Sequence, residues 1–333
     1  MNSFGRIFRV SLFGESHGSG CGALLDGCPP GLSLQPADFA EALARRRPGS
    51  PGTTARIETD AVQFLSGVFN GYTTGAPLAL FFVNTQQHSA DYSSVPDIPR
   101  PGHADWTAQQ KYRGFQDYRG GGHFSGRLTV ALVAAGVVAA KLLPGISLHA
   151  ALLEIGGRPL VEKDAVLSEA IKRGDSVGAI IECRATGLPA GLGEPFFDSL
   201  ESLLAHALFS IPGVRGLEFG SGFRSAAQFG SEHNDPLISA DGRTSSNNSG
   251  GINGGISNGN ELCFRLAVKP TATLSRPQTS INLKSGQPDT CAPGGRHDSC
   301  FALRVPVIVE ALTALVLADL TLLHNTARMS SCT

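Results

Sequence analysis

The sequence carries almost no net charge. Its 27 lysines and arginines nearly balance its 28 aspartates and glutamates, which leaves a formal net charge of −1. Proteins that wrap nucleic acid are usually strongly basic, so we expect no nucleic-acid partner. Charged residues make up 17% of the chain and hydrophobic residues 41%, so a buried core is expected rather than disorder.

Paired cysteine motifs are also missing. The chain has seven cysteines, which is an odd number, and no two of them are spaced as Cys-x-x-Cys. This usage disfavours a disulfide framework and a structural zinc site, and we predict no metal centre. A reducing cytoplasm is the simpler setting.

We find no apolar run in the sequence that is long enough to cross a membrane. The longest such run covers residues 128–140, whereas a bilayer requires about 20 residues. Residues 1–10 lack the apolar core of a signal peptide. We therefore expect a soluble, cytoplasmic protein with no membrane partner.

Glycine, by contrast, is abundant. The chain has 41 glycines, well above the usual share of about 7%. Residues 241–260 consist mostly of Ser, Asn and Gly, and a loop of this length inside a compact domain is usually functional. The loop matches neither the P-loop nor the dinucleotide-binding pattern. It does offer many backbone amides and hydroxyls to a ligand.

The pattern of apolar residues predicts a mixture of strands and helices. We expect strands at residues 7–13, 179–183 and 262–268, and helices at residues 36–47, 128–143 and 310–323. No repeat or long linker divides the chain, and the strands and helices do not alternate regularly. We therefore predict a single domain over residues 1–333 with an α+β layered fold.

Two histidines lie in polar turns that contain glycine. His17 follows a predicted strand directly, and His103 is close in sequence to Arg100 and Asp105. An imidazole can donate or accept a proton near neutral pH. Either histidine could be an ordinary turn residue, but together they are candidates for acid–base chemistry.

A third polar segment, residues 119–127, contains three consecutive glycines and leads into the apolar helix. A helix N-terminus favours anions, and glycine lets a ligand approach the backbone. Phosphate binding and a flexible hinge are equally good interpretations of this segment. Lys269 and residues 294–298 add two positive charges, an imidazole and a carboxylate.

These motifs, taken in order along the chain, resemble the chorismate synthase family. The segments that carry the resemblance are 13–18, 26–31, 45–49, 65–69, 73–75, 91–93, 100–105, 118–127, 231–236, 250–259 and 295–298. They cover nearly the whole chain, and chance agreement of so many polar motifs is negligible.

The resemblance implies a β-α-β sandwich-like fold, a homotetramer and reduced FMN as the cofactor. The implied reaction is an anti-1,4 elimination of phosphate from 5-enolpyruvylshikimate 3-phosphate, which yields chorismate in the shikimate pathway with no net redox change. The family is linked to NADP through reduction of the flavin. Because the sequence shows no appended reductase domain, we expect reduction to come from outside.

The resemblance also implies roles for individual residues. His103 matches the histidine that protonates reduced flavin, and His17 matches the one that assists the leaving phosphate. Asp298 matches a carboxylate linked to proton removal, and Ser16 and Ser125 match nearby hydroxyls. The FMN-contacting positions are His123, Phe124, Ser125, Gly254, Lys269, Pro270, Thr271, Ala272, Thr273 and Arg296. The arginines expected to contact anions or a reduced nucleotide are Arg45, Arg46, Arg47 and Arg127.

Three other interpretations stay open from the residues alone. The first is a different FMN- or phosphate-dependent enzyme on the same scaffold, which turnover of the enolpyruvyl substrate would distinguish. The second is a non-catalytic anion- or flavin-binding protein, which would not need both histidines and Asp298. The third is a structural protein, which would not explain the polar glycine-rich loops.

Overall fold

The structure is a computed structural model that describes residues 1–54, 60–85, 95–292 and 297–327. Its strands, in chain order, are β1 Ser3–Phe4, β2 Arg9–Gly14, β3 Gly20–Asp26, β4 Gln63–Ser66, β5 Val68–Phe69, β6 Tyr72–Thr73, β7 Leu78–Val83, β8 Ser147–Ile155, β9 Arg158–Pro159, β10 Ala179–Thr186, β11 Val214–Phe219, β12 Ile252–Asn253, β13 Ile256–Ser257, β14 Leu262–Val268, β15 Gln278–Ile281 and β16 Pro288–Cys291. Its helices are α1 Ala40–Arg46, α2 Asp105–Tyr112, α3 Thr129–Ala140, α4 Lys163–Lys172, α5 Leu200–Leu208, α6 Gly230–His233 and α7 Pro306–Ala327.

The first large sheet has five strands in the order β1-β2-β3-β7-β4, and each neighbouring pair is antiparallel. Successive side chains of a strand point to opposite faces of the sheet. In β7, Leu78, Leu80 and Phe82 are buried while the residues between them are partly exposed. One face of this sheet therefore packs into the core.

The second large sheet has the order β11-β14-β10-β8-β9 and is also antiparallel. Its inner strand β14 alternates strictly, since Leu262, Phe264, Leu266 and Val268 are all buried. Among the described residues there are also three sheets of two strands each, including the β12–β13 hairpin inside the 241–260 segment.

A layer of helices lies between the two large sheets. Helix α3 packs on β2, β3 and β7 of the first sheet, whereas α7 packs on β8 and β10 of the second, and the two helices pack against each other. Their closest approach is at Gly136, where an added Cβ would overlap the Cα and Cβ atoms of Ala311. The α+β fold with β-α-β sandwich layers is therefore confirmed.

The predicted elements occur, but their ends differ. The strand prediction for 262–268 matches β14, and β10 extends three residues beyond the predicted 183. Helix α3 ends at Ala140 rather than residue 143, and α7 covers 22 residues from Pro306 instead of beginning at residue 310. By length and composition two described helical stretches, Arg119–Ala140 and Pro306–Thr326, could cross a membrane, contrary to the sequence-based prediction. However, 67% and 72% of their most apolar windows are buried inside the fold, as in core helices.

Asp319 interrupts the apolar surface of α7 and ties the N-terminal segment to it. Its carboxylate is buried and accepts hydrogen bonds from the backbone N–H groups of Arg6, Ile7 and Phe8 at 2.9, 2.8 and 2.9 Å. A buried carboxylate is tolerated when its oxygens receive such donors. The polar residue in an apolar helix therefore has a structural role.

Candidate active site

A cleft of about 1000 Å³ opens where α3 and α7 begin. Its walls come from segments that are far apart in sequence, including residues 100–104, 120–129, 269–273 and 297–304. Most of the predicted site residues line it, namely Ser16, Arg46, His103, His123, Phe124, Ser125, Arg127, Lys269, Pro270, Thr271, Ala272, Thr273 and Asp298.

Other predicted residues lie elsewhere. Arg45 is half-exposed and makes a bidentate ion pair with Glu310 at 2.6 and 2.8 Å, away from the cleft. Arg47 and Gly254 are exposed and do not line the cleft either. Arg296 lies outside the described residues. Within one chain, the fold therefore does not bring Arg45, Arg47 and Gly254 together with the others.

His17 is buried beside the cleft rather than on its wall. It is 4% exposed, and so is its neighbour Ser16, which does line the cleft. A Cβ added at Gly120 would lie 2.6 to 2.8 Å from the His17 ring and the Ser16 hydroxyl. Any side chain at this position would therefore displace the imidazole.

The three glycines at 120–122 take backbone conformations that other residues rarely adopt. Their φ angles are 58°, 82° and 53°, in the left-handed region that favours glycine. A Cβ at Gly122 would overlap the carbonyl oxygen of Asp117. Its close packing against His17 and Asp117 is that of a tight turn and disfavours a flexible hinge, whereas phosphate binding by this segment stays a prediction.

His103 is oriented by a buried carboxylate. Its Nδ1 lies 2.6 Å from Asp105 Oδ1, and Arg100 binds the same carboxylate through Nε and Nη2 at 2.7 and 2.8 Å. A contact this short with a carboxylate places a proton on Nδ1, so the 3.0 Å approach of Arg100 Nη2 to that nitrogen is incidental. Nε2 is then the nitrogen that can exchange a proton near Gly121.

The electrostatics of Asp105 suit this task. Burial would raise the pKa of the Asp105 carboxyl, but hydrogen bonds from Arg100 and His103 and the charge of Arg100 outweigh it, so the pKa is well below its usual range. Asp105 therefore stays ionised at any physiological pH. An ionised carboxylate keeps the imidazole in one orientation and one tautomer.

One imidazole, that of His123, and one hydroxyl, that of Ser125, lie where the apolar helix begins. His123 donates from Nδ1 to the carbonyl oxygen of Gly14 at 2.8 Å, which leaves Nε2 for a ligand. Ser125 caps the first turn, because its Oγ accepts from the backbone N–H of Arg127 at 3.3 Å. The start of a helix presents partial positive charge to an anion.

A buried ion cluster underlies this wall of the cleft. Asp60 bridges Arg46, at 3.2 Å, and Arg127, and all three side chains are at most 7% exposed. Arg46 also donates to Thr129 Oγ1 and the carbonyl oxygen of Gly126, both at 3.0 Å. Desolvation and the neighbouring arginines lower the pKa of Arg46 to about 9. The donors of Arg46 are thus engaged by the protein itself.

Asp298 is held by a backbone amide and a guanidinium. Its oxygens accept from the Thr54 N–H at 2.6 Å and from Arg304 Nη1 at 3.2 Å. Arg304 also donates to the carbonyl oxygen of Arg46 at 2.9 Å, which links this carboxylate to the buried ion cluster. Three site residues could not be predicted from the sequence, because only tertiary contacts reveal them. They are Asp60, Arg304 and Asn84, and the last of these accepts from Arg127 Nε through Oδ1 at 3.0 Å. A buried arginine requires a carboxylate partner. This requirement was the one signal from which a partner such as Asp60 could have been expected.

Another wall of the cleft is formed by residues 269–273. Lys269 donates to the carbonyl oxygen of Gly102 at 2.5 Å, and Arg100 Nη1 donates to Thr273 Oγ1 at 3.2 Å. These contacts fasten the segment that follows β14 to the turn that carries His103. Both walls therefore hold their functional groups rigidly.

The cleft has an excess of positive charge. Among the described residues that line it, six carry a fixed positive charge and two are carboxylates. The cations are Arg46, Arg100, Arg127, Arg215, Lys269 and Arg304, and the carboxylates are Asp60 and Asp298. The site is therefore suited to a small molecule with several negative charges.

Comparison with known proteins decides the family. The family model described as chorismate synthase matches residues 8–322. The chain belongs to the chorismate synthase family. The chorismate synthase of Chitinophaga pinensis is 55% identical over 326 residues, covering 98% of both chains. The chorismate synthase of Desulfovibrio desulfuricans is 45% identical, covering 97% of this chain and 98% of the other.

A solved structure supports the same conclusion. A crystal structure of chorismate synthase superposes with a TM-score of 0.72 at 28% identity, over 96% of this chain and 92% of that chain. The predicted family, the fold and the enzyme class of a chorismate synthase, a carbon–oxygen lyase acting on phosphate, are therefore confirmed.

Proposed function

We propose that this chain catalyses the elimination of phosphate from 5-enolpyruvylshikimate 3-phosphate to give chorismate, with reduced FMN bound in the cleft. One observation carries the proposal, namely that a positively charged cleft is lined by His103, which is held by Asp105, and has the buried His17 beside it, both rings lying against the glycine segment 120–121. The substrate bears two carboxylates and a phosphate, so it requires several cations and a proton donor.

The residues of the cleft fit a flavin mononucleotide. Within the described residues, Thr271 Oγ1 is buried with no protein partner, and a ligand polar group would satisfy it. Phe124 and Tyr112 form a tilted aromatic pair with centroids 6.3 Å apart, and Phe124 is 40% exposed. We expect residues 123–125 and 269–273 to hold the cofactor. When bound, reduced FMN supplies electron density to the substrate transiently and takes no part in the net oxidation balance.

The two histidines are proposed to move protons to different partners, one toward the cofactor and the other toward the leaving phosphate. His103, held through Nδ1 by Asp105, would carry its exchangeable proton on Nε2 toward the cofactor. His17 would donate to an oxygen of the departing phosphate, assisted by the hydroxyl of Ser16. A general acid lowers the barrier for a leaving group, usually by 10²–10⁴-fold.

Asp298 and Ser125 complete the proposed machinery. The Asp298 carboxylate, fixed by Arg304 and the Thr54 amide, is expected to assist removal of the substrate proton. Ser125 places a hydroxyl near the start of α3. The N–H groups of Arg46 are already hydrogen-bonded to Asp60, Thr129 and backbone carbonyls. We therefore expect Arg46 to organise the site rather than to contact NADP directly.

The finer properties of the protein are also proposals. We propose a cytoplasmic homotetramer in which residues 1–333 act as one domain and an external system reduces the flavin. Four large aromatic side chains support association between copies, because Phe196, Phe197, Phe223 and Phe229 are 79% to 92% exposed. Exposed apolar surface of this kind commonly marks a protein interface. Gly254 could then approach the cleft of a neighbouring copy.

The decisive test is an anaerobic assay that contains the protein, reduced FMN and the enolpyruvyl substrate. Chorismate absorbance and phosphate should rise together in equal amounts, and neither should appear with oxidised FMN under the same conditions. A protein that binds flavin without turnover would be a non-catalytic binder, and the proposed function would be wrong.

Variants test the assigned histidines in the same assay. His17→Ala and His103→Ala should each lower kcat by roughly 10²-fold, the scale of a positioned acid. His149→Ala is the matched control, because His149 lies exposed on β8 and does not line the cleft. Near-wild-type kcat in both variants would remove these histidines from the mechanism.

A further inference from the structure

Asn84 follows β7 directly and reaches the turn that carries His17. Its Nδ2 donates to three carbonyl oxygens of this turn, those of Glu15, Ser16 and Gly18, at 2.9, 3.2 and 3.0 Å. A single side-chain amide therefore binds three backbone carbonyl oxygens of the residues around His17. The turn cannot move without breaking several of these bonds.

The other end of the amide is fixed by a buried guanidinium. Asn84 Oδ1 accepts from Arg127 Nε at 3.0 Å, and Arg127 is ion-paired with Asp60. The side chains of Arg127 and Asp60 are 7% and 1% exposed, so neither can swing into solvent. A carboxamide has donors at one end and an acceptor at the other, so Arg127 dictates that the donors face the turn.

The position of this turn sets the position of the His17 ring. The ring packs so closely against Gly120 that even a methyl group at that position would collide with it. A small shift of the turn would therefore change the position of the His17 ring. We infer that Asn84 is a positioning residue that holds His17 in place for phosphate departure. This inference rests on the proposed function. It extends that function to a residue that is not among those lining the cleft.

The isosteric substitution Asn84→Asp separates the two ends of the side chain. The carboxylate keeps an acceptor for Arg127, but it places a charged oxygen against three carbonyl oxygens and removes both donors. The turn should therefore be repelled while the anchor to the ion cluster survives. Asn70→Asp is the matched control, because Asn70 is exposed in a turn with a φ of 50°, a conformation that Asp also tolerates.

Steady-state kinetics give the first measurement. Asn84→Asp should lower kcat by about 10²-fold, the scale of a misplaced acid, while KM stays within about threefold. In a His17→Gln background the same substitution should cause no further loss, because residues that act as a unit are not additive. Asn70→Asp should leave kcat unchanged in either background. Additive losses, or a kcat of Asn84→Asp within twofold of wild type, would overturn the inference.

A second measurement does not depend on turnover. Selective ¹⁵N labelling of histidine allows the His17 ring signals to be assigned by their loss in His17→Gln. These signals should shift in Asn84→Asp and stay unchanged in Asn70→Asp, and unchanged signals in both would reject the positioning role. If wild-type protein fails to form chorismate, the proposed function fails, while this measurement still decides whether Asn84 positions His17. Should Asn84→Asp not fold, the uncharged Asn84→Ser is judged by the same criteria.

Discussion

At the scale of single residues, the carboxylate of Asp105 couples the geometry of His103 to pH. It receives hydrogen bonds from both His103 and Arg100, and its side chain is 6% exposed. Its lowered pKa means that the folded state binds the proton more weakly than the unfolded state does. The ionised form therefore stabilises the fold at neutral pH, and this stabilisation is lost as the pH falls through the folded pKa.

The substitution Asp105→Asn should reveal this coupling. Above the unfolded pKa of about 3.9, the wild type should exceed the variant in free energy of unfolding by a constant amount. Below that value the gap should shrink, because the unfolded chain takes up a proton at Asp105 while the folded protein still keeps this carboxylate ionised. Urea unfolding in steps from pH 6 to pH 3 measures the gap. A difference that does not change with pH would mean that the ionised form contributes nothing.

At this scale, only part of the site could be predicted from the sequence. His17 and His103 could be predicted because they lie in short polar turns with their glycine neighbours, where the signal is local. Asp60 and Asn84 could not, because their function depends on Arg127, which is 67 and 43 residues away along the chain. A lone buried carboxylate or amide leaves no local pattern.

At the scale of elements, the contact between α3 and α7 depends on one glycine. Gly136→Ala should destabilise the protein, because its methyl group would overlap backbone and side-chain atoms of Ala311. Overpacking of this kind costs about 1–3 kcal/mol, which exceeds the gain of at most about 1 kcal/mol that alanine brings to a helix. Chemical unfolding of the two proteins measures the difference.

Gly230→Ala is the matched control for that substitution. Gly230 begins α6, and an added Cβ there meets no atom within 4 Å. Its free energy of unfolding should equal that of wild type or exceed it slightly. Equal effects of both substitutions would show that the close approach of α3 and α7 is not a limiting contact.

The elements found by sequence reasoning share a strong periodic signal. Strand β14 alternates without interruption, and α3 is apolar throughout. Strand β3 gave no such signal, because Gly20 and Gly22 replace the apolar residues that would mark one face. Strand β8 contains a run of Ala and Leu that suits a helix equally well. In both strands, pairing with neighbours decides the conformation.

At the scale of the whole molecule, the cleft exists only because distant segments meet. The cleft is lined by residues from three distant segments. These are the N-terminal turn, the glycine segment before α3 and the residues that follow β14. The order of the layers could be predicted only from the family resemblance, since periodicity does not specify which sheet a strand joins. These segments therefore come together only through contacts between residues that are far apart in the sequence.

Asp319 makes the longest of these connections, because it joins the N-terminal segment to the C-terminal helix. Asp319→Ala would leave the N–H groups of Arg6, Ile7 and Phe8 without their acceptor. The Phe8 bond is buried and the Arg6 and Ile7 bonds are part-buried. A buried unsatisfied donor costs about 1–3 kcal/mol and a partly hydrated one less, so we expect a total loss of about 3 kcal/mol and a Tm lower by several degrees. Calorimetry measures both quantities.

Asp319→Asn serves as the comparison, because it keeps one oxygen acceptor while removing the charge. It should fall between wild type and Asp319→Ala if the hydrogen bonds are the source of the stabilisation. An Asp319→Ala protein with an unchanged Tm would contradict the assignment. The N-terminal residues 1–4 also line the cleft, so loosening them should raise KM more than it lowers kcat. The same carboxylate therefore connects the stability of the whole chain with the shape of its proposed active site.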